Sequence, residues 1–493
     1  MFFLNNKFVF SASDLSIAVD CQYQSLFVLD VALKRREKPE AVTDEMLHRT
    51  ALLGDEHEHR VLEQLVRTYG EYDPQTGTGV KQFTDRPQKT EESLRQAHEQ
   101  TMAVLRSGAD VIFQATFFDG SFVGFADFLV RQDDGSWAVW DTKLARHARV
   151  SALLQVAAYA DQMIAEGIEV NRHMTLVLGD GTHSTHRIDE ILPVFRAQRE
   201  RFLANVHSHT ASDAPVAWDS DRLRLCGRCA LCAEQVEQTR DVLLVAGMSM
   251  TQREKLRRQG ISTIDQLAAL EPEWNTALGR AVEQARMQVG LDPLAQSIQG
   301  VSYRVKSSQT ITKLPNPDQG DIFFDFEGDP LYQEPLDDSW GLEYLFGVIE
   351  NDTGEPVFRP FWAHSRAGER QAFLEFIEYV EARRRRFPNM KIYHYAAYEK
   401  SALRKLSQVH IAGEDEVDQW LRENLLIDLY DTVRNSLVVS TRSYSIKKLE
   451  PLYMGEHLRS GDVTDAGASV VAYAQYMEAR DAGDDAKARH VLE

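Results

Sequence analysis

Hydrophobic and polar residues alternate with a period of two between positions 111 and 143, which predicts three consecutive β-strands. The run VIFQATFF is followed by SFVGFADFLVRQ and then by SWAVWDTK. Asp119-Gly120 and Asp134-Gly135 separate the runs and are typical of tight hairpin turns. We therefore expect an antiparallel meander in which neighbouring strands lie side by side.

Helical periodicity is found on both sides of this meander. In LLGDEHEHRVLEQLV, Leu53, His57 and Val61 recur every four residues and predict an amphipathic helix. In VSALLQVAAYADQM, Gln155 and Tyr159 are four residues apart and share one helix face. A histidine on an apolar face is more often a core residue than a ligand, so His57 alone indicates no chemistry.

Changes of pattern along the 493 residues predict an α/β protein with three folded regions and one linker. The second region has short helical patterns with Gly247 and Gly260 at turns, and the linker is rich in Ser, Thr, Pro and Gly. A helix predicted near Asp484 reaches the end of the sequence without a cap, so we expect the last region to be incomplete. The regions are 1–240, 241–306, the linker 307–319 and 320–493.

The net charge of −20 argues against a basic coat that binds nucleic acid over the whole surface. It does not exclude a nucleic-acid enzyme, because the local field matters and metal ions supply positive charge in a site. No apolar run is long enough to span a membrane. The short apolar start, interrupted by Asn5, Asn6 and Lys7, does not form a secretory core, so we expect a cytoplasmic protein without membrane partners.

Candidate chemistry lies on two strands of the meander. Neighbouring strands bring Asp127 and Asp141 together, and two carboxylates can share a hard divalent cation. Lys143 follows two residues after Asp141 and points to the same side of its strand, where an ammonium can orient water or stabilise phosphate charge. The alternative is a pair of solvated carboxylates at strand ends beside an unrelated lysine.

The motifs GDEHE, GFAD, WDTK and QVAAY, in this order, resemble the RecB-type branch of the PD-(D/E)XK nucleases over roughly residues 1–235. The resemblance implies a restriction-endonuclease-like fold that hydrolyses DNA phosphodiesters with Mg²⁺ or Mn²⁺. The residues that it implies are the metal ligands His57, Asp127 and Asp141, the catalytic Lys143, and the helix pair Gln155 and Tyr159.

The four cysteines are unevenly placed. Cys21 stands in a predicted N-terminal helix, whereas Cys226, Cys229 and Cys232 form CGRCALC nearly two hundred residues later. In a reducing cytosol this spacing suggests a metal site rather than disulfides. The arrangement resembles the iron–sulfur staple of AddB-type and CRISPR-associated nucleases, which implies a 4Fe–4S cluster, although those relatives have a wider gap before the last cysteine. Zn²⁺ is the alternative.

The connector at 241–306 resembles a helix-hairpin-helix element, whose glycine turns can present N–H groups to a phosphate. A plain helical connector is the alternative. Arg257 and Arg258 are possible contacts to a nucleic-acid backbone, although paired arginines are usually solvated surface.

The region 320–493 begins with a hydrophobic strand that carries Asp325 and Glu327 on one face. Together with a following strand and helix, this resembles an RNase H-like exonuclease of the DEDD type, with Glu399 where that family usually has aspartate. Asp428 and Asp431 come too early for the final acidic motif. We therefore expect a second acidic site that folds but hydrolyses little.

The whole arrangement resembles RecB-like nucleases that precede a superfamily 1 helicase, although this sequence has no G-x-x-x-x-G-K-[ST] phosphate loop. The function predicted is a metal-dependent nuclease that acts on DNA, mainly single-stranded, in repair, recombination or defence with a helicase partner. The alternative is a nucleic-acid-binding module that guides DNA to a helicase with weak or no hydrolysis. A purely structural scaffold does not explain the ordered acidic motifs.

Overall fold

The computed structural model describes residues 1–40, 44–218, 220, 223–271, 276–334, 339–352, 354–455, 466–484 and 486. These residues form two compact units, residues 1–234 and residues 235–493. In the described part of the chain, no helix combines the length and the apolar character needed to cross a membrane.

The first unit is built around an eight-stranded mixed sheet. Its strands are β1 (Phe2–Leu4), β2 (Lys7–Ser11), β3 (Val80–Gln82), β4 (Val111–Phe118), β5 (Phe122–Arg131), β6 (Trp137–Lys143), β7 (His173–Leu178) and β8 (His183–Arg187). Its helices are α1 (Ala12–Asp20), α2 (Gln22–Ala32), α3 (Glu45–Tyr69), α4 (Glu91–Ser107), α5 (Val150–Ala165), α6 (Ile188–Thr210) and, running past residue 234, α7 (Ala230–Gln238).

The predicted meander is present as β4, β5 and β6, which pair antiparallel in sequence order. Gly120 and Gly135 have left-handed backbones in the two connecting turns. Asp119 Oδ1 accepts hydrogen bonds from the N–H groups of Ser121 and Phe122, which closes the first turn. The turns thus form because aspartate caps the backbone and glycine adopts a positive φ.

The second unit contains the connector and a five-stranded sheet ordered β13-β12-β11-β14-β15. Its strands are β9 (Gln296–Ile298), β10 (Val301–Val305), β11 (Ile322–Gln333), β12 (Trp340–Glu350), β13 (Val357–Trp362), β14 (Ile392–His394), β15 (Leu426–Asp428) and β16 (Leu437–Val439). Its helices are α8 (Met250–Arg257), α9 (Ile264–Ala268), α10 (Ala277–Gln288), α11 (Arg366–Arg386), α12 (Tyr398–His410), α13 (Glu414–Arg422), α14 (Leu429–Ser436), α15 (Ile446–Leu449) and α16 (Ala466–Asp481). Short 3₁₀ turns cover Val242–Leu244, Ile311–Lys313 and Glu450–Leu452.

The five-stranded sheet is antiparallel on one side of β11 and parallel on the other. Its core packs Phe324 of β11 against Phe376 of α11, with ring centroids 4.4 Å apart. Trp420 of α13 is fully buried against the same cluster. These apolar faces hold the carboxyl ends of β11, β14 and β15 at one edge of the sheet.

The connector is helical as predicted in α8 to α10, and Gly247 and Gly260 have positive φ at its turns. It also contributes two strands that the sequence pattern did not indicate. β10 pairs with β9 and with β16, so the connector shares a small sheet with the end of the second unit. The helix predicted near Asp484 falls largely outside the described residues.

Candidate active site

Strands β5 and β6 separate at the position of the two predicted aspartates. Their ladder ends at the pair Phe128–Trp140. Beyond that pair, β6 continues beside β7 with Asp141 opposite Leu176, while the start of β5 pairs with β2. Asp127 and Asp141 are the next residues on either side of the fork, which brings the two carboxylates together as predicted.

The two carboxylates have different environments. Asp127 is half-buried, and its Oδ2 accepts hydrogen bonds from the N–H and the hydroxyl of Thr142, at 3.0 and 3.1 Å. Asp141 is completely buried, and its Oδ2 forms an ion pair with the Lys143 ammonium. Burial, and then the charge of Asp127, raise the pKa of Asp141 to about 8 against the opposing effect of Lys143.

The helix pair on α5 contacts this site. Gln155 Nε2 lies 3.3 Å from Asp141 Oδ1 and 3.3 Å from the Tyr159 hydroxyl, so the amide joins the two side chains. Tyr159 is buried, and this burial raises the pKa of its hydroxyl. A Cβ at Gly124 would lie 2.6 Å from the Tyr159 ring, so only glycine fits at that point of β5. Gln155 and Tyr159, on the predicted helix face, therefore hold the Asp141 carboxylate in position.

His57 lies on the buried face of α3. Its Nε2 is 3.1 Å from the carbonyl oxygen of Val177 on β7, and burial lowers the pKa of its ring. This contact holds α3 against the sheet.

The neighbouring Glu58 is a site residue that the sequence reasoning missed. Gln114 Nε2 donates to Glu58 Oε1 at 2.5 Å, and burial together with the charge of Asp127 raises the pKa of Glu58. The β4–β5 ladder skips Gln114, which lies between the pairs Phe113–Phe128 and Ala115–Ala126 and has a left-handed backbone, with φ of 57°. A non-glycine residue with such a φ inside a strand is strained, and strain of this kind clusters at functional sites. The sequence signal for Glu58 was its position four residues before Leu62, a buried residue of the same helix, which places half-buried Glu58 beside the buried face.

Oxygen ligands at this fork suit a hard divalent cation such as Mg²⁺ or Mn²⁺. Asp141 is wholly buried beside Asp127, and the Lys143 ammonium offsets only one of these two negative charges, so a further cation would stabilise both carboxylates in their ionised form. The fork therefore fits a metal ion. Within the described ranges, however, the only group of three or more His, Cys, Asp or Glu ligand atoms that all lie within 4.8 Å is formed by cysteines. The structure thus does not bring His57, Asp127 and Asp141 together as a closely spaced ligand triad.

The four cysteines form that group in the first unit. Cys21 and Cys232 are buried with their sulfurs 3.5 Å apart, and the sulfurs of Cys226 and Cys232 are 3.7 Å apart. The Cys232 thiol and the Gln24 N–H lower the pKa of Cys21. The four residues are unoxidised and converge from two distant parts of the chain, as predicted.

The prediction that Cys21 lies within a helix was wrong. α1 ends at Asp20 and α2 begins at Gln22, and Cys21 between them has an extended backbone. Its sulfur accepts from the N–H of Gln24 and caps α2, so the break turns the thiol towards the other cysteines. A continuous apolar pattern across both helices concealed this junction.

The second acidic site lies on β11 of the second unit. Glu399, in the first turn of α12, lies beside Asp325. Burial, then Glu399 and the charge of Glu327, raise the pKa of Asp325 to about 7. The β11–β12 register shifts directly after Glu327. His394 Nδ1 lies 3.0 Å from Glu399 Oε2 and fixes that carboxylate.

Asp428 joins the same sheet edge, because His394 and Asp428 pair across β14 and β15. Its Oδ1 accepts hydrogen bonds from the N–H groups of Ala396 and Tyr430, each at 2.9 Å. Ala396 has a left-handed φ of 77°, so Asp428 holds a strained loop just before Glu399. On α16, Tyr473 stacks on Tyr344 of β12 with ring centroids 3.8 Å apart, and the Ser469 hydroxyl lies 2.6 Å from the Tyr344 hydroxyl.

Two protein-family models match this chain. Residues 9–233 match the PD-(D/E)XK nuclease superfamily, and residues 322–491 match the RNase H superfamily. No curated protein matches the sequence. The two matches fall on the eight-stranded sheet with the Asp127–Asp141 fork and on the five-stranded sheet with Asp325, respectively. The chain therefore consists of a PD-(D/E)XK nuclease-superfamily domain followed by an RNase H-superfamily domain.

Proposed function

We propose that this protein is a metal-dependent deoxyribonuclease whose active site is the fork between β5 and β6. The observation that carries the proposal is the convergence of Asp127, buried Asp141 and Lys143 at the point where the two strands separate. We further propose single-stranded DNA as the main substrate and a helicase as the partner, in repair, recombination or defence. We also propose a cytoplasmic location, because a metal centre of four thiols suits a reducing compartment.

Asp127 and Asp141 would hold the cation, with Glu58 as the nearest further carboxylate and His57 as the ligand that the family resemblance implies. A divalent ion supplies charge stabilisation of the phosphate and activation of water when it is bound. Lys143 presents its ammonium beside Asp141, where it can orient water or stabilise phosphate charge. Gln155 and Tyr159 keep the Asp141 carboxylate in position.

We propose that the four cysteines hold one metal centre that ties the start of the domain to its end. The resemblance to stapled nucleases supports a 4Fe–4S cluster. The sulfur separations support Zn²⁺ as the second candidate, because Zn–S bonds of about 2.3 Å in a tetrahedron place the sulfurs about 3.8 Å apart. The observed 3.5 and 3.7 Å are close to that value. A four-iron cluster is larger and needs the thiolates to move apart.

For the RNase H-like domain we propose a folded site with little hydrolysis. Asp325, Glu327 and Glu399 supply three carboxyl groups, whereas Asp428 uses its Oδ1 to accept from two backbone N–H groups. Two-metal hydrolysis needs ligands that fix both ions about 4 Å apart. In the described part of α16, the contacts towards the sheet include Ser469, Tyr473, Tyr476 and Met477, none of which carries a carboxylate.

A nucleic-acid-binding module with weak or no hydrolysis is the second candidate function. The observation that favours it is that, in the described ranges, no three acidic or histidine ligand atoms lie within 4.8 Å of one another at the fork. In this alternative, the two nuclease-type domains guide DNA without cutting it.

Incubation of anaerobically purified protein with labelled DNA separates the two functions. The nuclease proposal predicts that Mg²⁺ or Mn²⁺ produces cleavage, that single-stranded DNA is cut faster than duplex, and that Asp127→Ala abolishes cutting. Asp133→Ala, in the exposed turn after β5, is the matched control and should cut normally. Cleavage that persists in Asp127→Ala contradicts the assigned site. Tight DNA binding without metal-dependent products supports the binding module.

A further inference from the structure

A surface cavity of about 350 Å³ in the second unit lies outside both acidic sites. Three cationic side chains line it from three different elements: Arg280 from α10, Lys306 directly after β10, and Arg434 from α14. Asp431 is the acidic residue in the lining. The cavity therefore has a local excess of positive charge in a chain whose net charge is −20.

Among the described residues, these three cations are not held in ion pairs. Within the described ranges, no carboxylate forms an ion pair with Arg280, Lys306 or Arg434, whereas Arg304 nearby is paired with both Glu283 and Asp292. The Lys306 ammonium donates to the Arg434 carbonyl oxygen at 2.8 Å, so two of the elements are joined. Burial lowers the pKa of Lys306, the charge of Glu283 opposes this effect, and the charges of Arg434 and Arg280 add to it. Converging cations that outnumber the nearby carboxylates and form no ion pair with them are stabilised by an anionic ligand.

Neutral hydrogen-bond donors complete the lining. Gly247 has a left-handed φ of 79° at the turn before α8 and is exposed. Among the described residues, neither the Gly247 N–H nor the exposed side-chain amide of Asn435 has a hydrogen-bond partner. Backbone N–H groups and amides beside cations suit the oxygens of a phosphate group.

The position of the cavity relates it to the acidic edge of the five-stranded sheet. α14 begins directly after Asp428, the residue at the end of β15. Arg434 follows six residues later, which along a helix is a rise of about 9 Å. A nucleic-acid strand with one phosphate at Arg434 can therefore also reach the sheet edge that carries Asp325. A single phosphate ion is too short to do so.

We propose that this cavity binds a backbone phosphodiester of the nucleic-acid strand that the protein acts on. This inference rests on the proposed nucleic-acid function and adds a second binding site for the strand, in the second unit. Arg280, Lys306 and Arg434 contact phosphate oxygens and carry no sequence information. A free phosphate ion or mononucleotide has the same chemistry, and the experiment distinguishes it from a strand.

The test measures binding of a fluorescein-labelled oligothymidylate by anisotropy over a salt titration in buffer without divalent cations. The full chain is compared with the triple variant Arg280→Ala, Lys306→Ala, Arg434→Ala. The control is Lys255→Ala, Arg370→Ala, Lys447→Ala, which removes three exposed cations of the same unit outside the cavity. Each lost phosphate contact reduces the slope of log affinity against log salt by about 0.7 for single strands, so the cavity variant should lose about 2 in slope. At low salt the affinity should fall at least roughly tenfold.

The charge-conserving variant Arg280→Lys, Lys306→Arg, Arg434→Lys should keep most of the slope, which excludes misfolding as the cause. Equal slopes and affinities in the cavity and control variants would overturn the inference. A second result would also overturn it: the wild type binds inorganic phosphate tightly, and the cavity variant loses this binding but keeps the wild-type affinity for the strand. Wild-type protein that shows the predicted cavity-dependent binding but cuts no DNA with metal would contradict the nuclease proposal and leave this site intact.

Discussion

Asp141→Asn should change how the stability of the first domain depends on pH when divalent cations are absent. Burial and the charge of Asp127 raise the pKa of Asp141 to about 8, whereas an unfolded aspartate ionises near about 3.9. Between these values the native state keeps a proton that the unfolded state has released. Raising the pH through this window therefore lowers the free energy of unfolding of the wild type.

The size of the effect follows from that pKa shift. One proton contributes about 1.4 kcal/mol for each pH unit inside the window. From pH 5.5 to 7.5 the wild type should therefore lose roughly 3 kcal/mol that the asparagine variant keeps, because asparagine has no proton to release. Complete burial of Asp141 justifies using nearly the whole shift, since solvent does not screen the group.

Hydrogen exchange followed by mass spectrometry is the suitable assay, because the two units need not unfold in one transition. Peptides from β5 and β6 report the opening free energy around the fork in wild type and Asp141→Asn at both pH values. Asp133→Asn, in the exposed turn between these strands, is the control and should follow the wild type. A difference between wild type and Asp141→Asn that stays constant across the pH range would refute the reasoning.

Three further substitutions test the rest of the first domain. Cys21→Ser should remove the bound metal and lower the unfolding temperature, and full metal content in this variant would contradict a shared centre. In the wild type, brown colour with visible absorbance identifies an iron–sulfur cluster, whereas a colourless protein that contains zinc identifies Zn²⁺. Glu58→Gln should raise the Mg²⁺ concentration for half-maximal cleavage roughly tenfold, and an unchanged value excludes Glu58 from the site. Lys143→Ala should lower kcat roughly 100-fold with little change in that Mg²⁺ concentration; a large loss of metal affinity instead would mean that Lys143 acts through Asp141.

The sequence predicts the meander and the closeness of Asp127 and Asp141, because Asp-Gly turns and a two-residue period fix which strands are neighbours. It does not predict the fork, which depends on β2 and β7 pairing with the strand ends that β5 and β6 leave free. Those partners are distant in the chain and have no local signal. Helix periodicity likewise identifies the face that carries His57. It does not predict that the adjacent Glu58 accepts a hydrogen bond from Gln114 of the sheet.

In the second unit, too, local patterns predict single strands, whereas pairings between distant parts of the chain are not predicted. The alternation of Phe324, Asp325, Phe326 and Glu327 gives the strand and the side that bears the acids. The pairing of β10 with β16 joins residues more than a hundred positions apart, so the connector pattern alone indicated only helices. The left-handed backbones of Gln114 and Ala396 are also invisible in the sequence, because tertiary contacts impose them.

The central claim is that the fork in the first domain, and not the acidic site in the second, carries the chemistry. The most direct measurement compares cleavage of one end-labelled single-stranded DNA with Mg²⁺ by wild type, by Asp141→Ala and by the double variant Asp325→Ala, Glu327→Ala. Asp141→Ala should lose cleavage, and the double variant should cut at nearly the wild-type rate. Loss of most activity in the double variant, with Asp141→Ala close to wild type, would contradict it.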